Sequence, residues 1–247
     1  MQVEFMRNYL KQAQGINIYV RPRTGNDGDT GLTPTAAVKT LAKALSLATA
    51  NQNDKVFLMC EGNSAANTTD YQSVTLDWNK DGVHLIGVGV ASEAYIGQRA
   101  RVALISSYVT ASNLFTLSAN NCYIKGIEFF AGVASANPVG AVNVTGMRNV
   151  FENCQISGIG DATMDIATGY SLTVAGSENT FKKCLIGLDT IVRAIALAEI
   201  RITSGTRTIF DDCIILSFSS LTTFKAVLWT AGSYHSLTVF KNCVIIN

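Results

Sequence analysis

NVFENCQI, residues 149–156, is one of four copies of a single pattern; the others are NTFKKCLI (179–186), TIFDDCII (208–215) and TVFKNCVI (238–245). The shared rule is Phe, two polar residues, Cys, any residue, Ile. Cys154, Cys184, Cys213 and Cys243 follow one another at intervals of 30, 29 and 30 residues. Self-similarity at such a period marks a repeat architecture. The copies are rich in Val, Ile, Phe and Thr, which favour strands. They lack the three- and four-residue apolar spacing of a helical repeat. A repeat near 30 residues fits one coil of a parallel β-helix, with three short strands and three turns.

The register inside a coil follows from the same residues. Phe151 and Cys154 are an odd number of positions apart, so a straight strand would point them to opposite faces. Both are apolar, and the two polar residues between them predict a corner that turns both inward. Phe151, Phe181, Phe210 and Phe240 then form one internal ladder, and the four cysteines another. The residue after each Phe is Glu152, Lys182, Asp211 and Lys241. Charge therefore alternates from coil to coil, which favours the correct pairing because like charges opposite one another are destabilising. Working toward the N-terminus, CYIKGIEF places Ile124 and Ile127 at the Phe and Cys positions. VHLIGVGV places Leu85 and Val88 there, with a loop insertion expected between Val88 and Ile127.

Outside the repeats, residues 1–15 read as an N-terminal arm and residues 16–60 as a capping segment. Within that segment an amphipathic helix is expected over about residues 35–50, burying Val38, Leu41, Ala42, Leu45 and Ala48. Residues 61–247 are then β-helix coils. The chain has 247 residues, 48% of them hydrophobic and 15% charged, with net charge +1. That balance supplies no basic field for nucleic acid. No apolar run is long enough to span a membrane, and MQVEFMRNYLKQAQG lacks the apolar core of a signal peptide. The last strand meets Asn247 without a capping element, so this end is expected to meet a partner or continue into further chain.

The run IYVRPRTGNDGDTG, then a helix containing KTLAKAL, then DKVFLMCEGN and KDGVHLIGVG, resembles the opening of pectate-lyase-like right-handed parallel β-helix proteins. The motifs cover residues 16–90, and the repeats extend the likeness to the C-terminus. The resemblance implies an all-β solenoid whose first coil is covered by a helix. It leaves function open, because this fold carries lyases, hydrolases, adhesins and phage spikes.

For a lyase, the resemblance implies acidic residues, often with calcium, and a basic residue that abstracts a proton. Glycosidases need two carboxylates flanking the scissile bond. Asp211 and Asp212 are adjacent, but their alignment with Lys182, Lys183, Lys241 and Asn242 reads as a surface ladder. Asp161, Asp165 and Asp189 fall in turns, where Asp is common. Arg101, Arg148, Arg193, Arg201 and Arg207 are scattered, and no lyase signature is recognisable. NDGDTG (26–31) resembles half of a calcium loop, but the twelfth position is Ala37 rather than an acid, so a turn is expected. His84 and His235 lie in different coils. The cysteines show no zinc spacing and read as buried free thiols. Asn67 and Asn143 begin glycosylation sequons without a secretion signal. Trp78, Trp229, Tyr170 and Tyr234 read as packing residues, with sugar stacking as the alternative.

These readings give no catalytic, cofactor-binding or metal-binding residue. The function expected is a bacteriophage virion structural protein: a trimeric capsid decoration protein, head fibre or tail spike, assembled in the host cytoplasm. Its arm would dock onto other virion proteins, with cell-surface polysaccharide as a further partner and neither nucleic acid nor membrane. The alternative is a polysaccharide lyase or glycosidase.

Overall fold

A computed structural model describes residues 15–60, 69–89, 100–108, 112–230, 232 and 236–247. The expected arm lies almost wholly outside them, as do His235, Tyr234 and Asn67. The described residues form three all-parallel sheets, with eight strands in sheet A, seven in B and six in C. Each coil passes A to B to C and returns one level higher, giving a right-handed β-solenoid, the hand that parallel crossovers almost always take. Six coils are complete. The first holds Lys55–Met59, Thr69–Gln72 and Leu76–Trp78; the sixth holds Ile209–Asp211, Ile214–Leu216 and Lys225–Trp229. Val239–Lys241 and Val244–Ile246 then extend A and B.

The corner predicted between Phe and Cys is present in every copy. Asn153, Lys183, Asp212 and Asn242 have φ of 51, 51, 54 and 51°, the left-handed region that reverses which side the next residue faces. Leu85, Ile124, Phe151, Phe181, Phe210 and Phe240 pair in one column. The four rings stack at 4.9, 4.8 and 4.6 Å between centroids, tilted by 15° or less. Phe151, Phe181 and Phe210 are fully buried. The alternating charges also fall opposite one another, Glu152 on Lys182 on Asp211 on Lys241. Lys125 extends the series and lies 3.2 Å from Glu152.

Two expectations need correction. Ala100, not Val88, pairs with Ile127 in the Cys column. In that coil Ile86, Gly87 and Val88 continue the strand directly after Leu85 where the other copies turn, so sheet A runs on through Val88, which pairs with Met59. Gly87 is needed on this stretch, because a Cβ there would sit 2.2 Å from the Gly126 carbonyl oxygen. Residues 90–99 of the expected insertion lie outside the described residues. The helix, α1, spans Leu41–Leu47 rather than 35–50. Pro34–Ala36 forms a separate 3-10 turn, and Val38 bridges to Val20 as an extra strand position. Thr40 stops α1 from starting earlier, being extended at φ −119° while its side chain accepts from the Lys43 N–H as an N-cap. Asn17–Val20 and Lys55–Met59, placed in the capping segment on sequence grounds, are themselves paired in sheet A.

Helix α1 is joined to the core by a buried acid. Asp70 stands in the inward column of sheet B, in register with Val102 and Phe129. Its Oδ2 accepts the Leu41 N–H (3.1 Å) and the Gln72 side-chain amide (2.6 Å). Asp27 takes the Lys39 and Thr40 N–H groups and the Thr40 hydroxyl. Burial pushes the Asp70 carboxyl up to about 7 from 3.8. In the unfolded chain it loses its proton near pH 4, so stability falls as pH rises from about 4 to 7 and then levels.

Two predictions follow from this packing. Phe181→Ala should cost about 3–5 kcal/mol in urea unfolding; a near-neutral value would contradict the ladder. Asp70→Asn keeps an acceptor for Leu41 and removes the titration. Relative to the parent, the variant should gain about 2–4 kcal/mol between pH 4 and pH 8, and a pH-independent difference would refute the assignment.

Candidate functional site

The outer face of sheet C is the best-formed polar surface. Its inward residues, such as Leu172 and Ile200, are buried, and the alternate positions form an outward column. That column runs Asp77, Thr116, Asn143, Thr173, Arg201 and Leu228. The Arg201 guanidinium lies 4.9 Å from the centroid of the Tyr170 ring. The Tyr170 hydroxyl donates to Asn113 Oδ1 at 2.6 Å, and Asp77 accepts from Ser118 at 2.6 Å. Asp77 and Arg201 are four coil steps apart, roughly 19 Å at the usual strand spacing. The column can hydrogen-bond a polar chain laid along the axis. It brings no two carboxylates within the separations that glycosidases use.

A wall of B-to-C loops flanks this face, and a turn acid and a buried ion pair hold it. Asp165 accepts the N–H groups of Ala194, Ile195 and Ala196 at 2.7, 3.0 and 2.8 Å, fastening one loop to the next. Arg193 continues the stitching through its backbone, donating to the Phe218 carbonyl and accepting from Ser220. Its side chain is fully buried against Glu199, with Nε 2.9 Å from Oε1. Ser171 donates to the other Glu199 oxygen at 2.5 Å, and Arg193 Nη1 donates to the Ile191 carbonyl. Arg193 Nη2 has no hydrogen-bond partner among the described residues. Burial pushes the Glu199 carboxyl up, while Arg193 pulls it back down.

The other sequence candidates fall into structural roles. Asp161 caps the 3-10 turn Ala162–Met164 and accepts from the Thr163 N–H and hydroxyl, which hold its carboxyl below the usual range. Asp211 lies 3.1 Å from Lys241 Nζ, while Asp212 is a corner residue. Asp189 is exposed. Arg148 and Arg207 are not scattered: both grip Glu178, at 2.8 and 2.7 Å. Arg101 binds Glu128 at 2.7 Å and lies over Phe130. His84 Nδ1 accepts the Tyr123 N–H at 3.1 Å, and burial, with Lys55 beside it, holds the imidazole below its ordinary range. NDGDTG is a turn in which Asn26 accepts from the Gly28 N–H. Trp78 is fully buried and donates to the Val83 carbonyl. Trp229 packs edge-on against Phe240. The described cysteines are thiols rather than disulfides, and Cys154, Cys184 and Cys213 are buried. Among the described residues no cluster of three or more His, Cys, Asp or Glu is placed to hold a metal ion.

Sequence reading missed three buried polar devices. Asn149 and Asn179 form a short ladder, the Asn149 N–H donating to Asn179 Oδ1 at 2.9 Å. Their amides satisfy the Ala119, Gly146 and Gly176 carbonyls. The signal was present, since Asn opens two of the four repeat copies. Asp70 and the Arg193–Glu199 pair had no such signal, because nothing local marks them as buried.

No family model and no curated protein matches the chain. Solved structures do. A rhamnogalacturonan lyase superposes with TM-score 0.52 at 13% identity, covering 94% of this chain and 63% of its own. A pectate lyase gives 0.53 at 12%, covering 86% and 56%. A pectin methylesterase in complex with a hexasaccharide gives 0.55 at 15%, covering 94% and 80%. The chain thus spans less than two thirds of the length of the two lyases. At these identities the likeness establishes the pectate-lyase-like parallel β-helix fold.

The buried pair yields a test of the wall. Glu199→Ala leaves Arg193 buried without a counter-charge and should cost about 3–5 kcal/mol. Replacing both residues, Arg193→Met with Glu199→Leu, should recover most of that loss in urea unfolding. Equal losses in the single and double variants would show that the pair is not a closed unit.

Proposed function

We propose that the protein is a self-associating structural β-helix of a bacteriophage virion, a capsid decoration protein, head fibre or tail spike, with a trimer as its expected state. The observation that carries this reading is how the acids are spent. Among the described residues every carboxylate except Asp29, Asp189 and Asp212 accepts a hydrogen bond or ion pair from its own chain. Acids that fasten loops and strands give a stiff solenoid, suited to bearing load on a particle. Low charge and outward apolar residues suit assembly with copies of itself. Residues 1–15 would then attach the solenoid to the particle.

A second reading is a polysaccharide-active enzyme. The polar column on sheet C favours it, as does a fold shared with two lyases and an esterase. Such an enzyme would use Arg201 and Tyr170 to hold an acidic sugar chain along the solenoid.

Light scattering on the purified chain, with a polysaccharide panel assayed on the same sample, separates the two. The structural reading expects about 79 kDa, three times the 26.4 kDa chain, with no shortening of any polysaccharide. A monomer that cleaves one would overturn it in favour of the enzyme.

A further inference from the structure

Two carboxylates converge on the start of α1 from opposite sides of the joint between cap and solenoid. Asp27, carried by the 26–31 turn, accepts the Lys39 and Thr40 N–H groups at 2.7 and 2.9 Å. Asp70, carried by sheet B, accepts the next N–H of the chain, that of Leu41. Successive amides of one turn therefore hold the two acids near each other, and Asp27 acts on Asp70 as a like charge. Asp27 is partly exposed, whereas Asp70 is buried in an inward column with Val102 and Phe129. Among the described residues no Lys or Arg forms an ion pair with either acid. The far end of the helix is tied by other groups. Lys80 Nζ donates to the Ser46 and Ala48 carbonyls at 3.2 and 2.6 Å, and Asp54 accepts the Thr49 N–H at 2.7 Å. Between these two attachments Leu41, Ala44 and Leu45 are buried, and the helix packs on the strands that carry Ile18, Val20, Val56 and Leu58.

We propose that Asp70 is a proton-operated latch on the cap: protonated, it holds the N-terminal end of α1 on the first coil, and loss of that proton lets this end swing away about the Lys80 attachment. A carboxylate at this place is a buried charge that faces Asp27 with no cation between them, and both effects oppose closure. The sign follows from where the proton is held. In the closed cap burial raises the Asp70 carboxyl to about 7 from 3.8; in the open cap it meets water and titrates near 4. Opening therefore becomes easier as pH rises from about 4 to 7 and levels above that, and acid closes the cap. Swinging away bares the apolar residues of the first coil while the remaining coils keep their register, a local opening rather than an unfolding.

Hydrogen exchange of the full chain, read by mass spectrometry and corrected for the chemical rate at each pH, tests the latch. Residues 41–48 report the cap, and the sheet C strand Tyr170–Val174 is the reference. Exchange of the cap should grow about fiftyfold from pH 5 to pH 7 and then level, while the reference strand stays protected. In Asp70→Asn the cap should exchange at one low rate throughout. A cap whose exchange is flat in the parent overturns the proposal, as does an equal rise in cap and reference strand, which would mean that the whole solenoid opens. The same rise in Asp70→Asn would assign it to another group. Should Asp70→Asn fail to fold, Asp27→Asn decides: it keeps an acceptor for Thr40 and removes the like charge, so the rise should end at a lower pH than in the parent. An unchanged profile in that variant overturns the latch.

Discussion

The structure depends on one corner repeated in register. Between each inward Phe and inward Cys a single residue takes the left-handed conformation, and the chain bends without losing its inside. For Asn153 and Asn242 this conformation is mild, because Asn tolerates it. For Lys183 it costs on the order of 1–2 kcal/mol. That strain is sustained because a residue that left the corner would turn the following Cys and Ile out of the core. Stacked corners also align the strands, so a slip of one residue in one coil would face every side chain of that strand the wrong way. The Phe rings, the cysteines and the alternating charges are consequences of that alignment.

This explains which parts were legible in the sequence. The corner leaves a local signature, two apolar residues separated by two polar ones, and it recurs often enough to align by eye. From it the Phe column, the Cys column and the order of surface charges could be read correctly. Where the signature breaks, so did the reading. In the second coil the strand runs on directly after Leu85 instead of turning, and Val88 was placed in a column that Ala100 occupies. The helix was overextended because its apolar spacing continues upstream of residue 41. What ends it is Thr40 as an N-cap, and Asp27 holds that turn from thirteen residues away.

The candidate site was less legible for a related reason. Burial of a polar group in a solenoid depends on the neighbouring coil, about 30 residues away. Asp165 looked like a turn acid, and it is one, but its three donors come from the next loop. Glu199 occupies a strand position that points away from the core and is nonetheless fully buried, because Arg193 and its loop close over it. The Arg148–Glu178–Arg207 group is likewise invisible as three residues spread through the sequence and becomes a column only when the coils stack.

The same stacking sets what each face can do. A column of identical type repeated at the strand spacing suits a surface that touches something long and regular, whether a polymer or another solenoid. On sheet C the column is polar, with its opposite charges at distant levels, so it is suited to holding a chain rather than to acid–base chemistry at one bond. On sheet B one outward column changes from Thr69, Arg101, Glu128 and Gln155 to Leu185, Ile214 and Val244 in the later coils. One solenoid therefore offers two surfaces of different chemistry. The polar face of sheet C is flanked by loops that its own chain has fastened with buried charge.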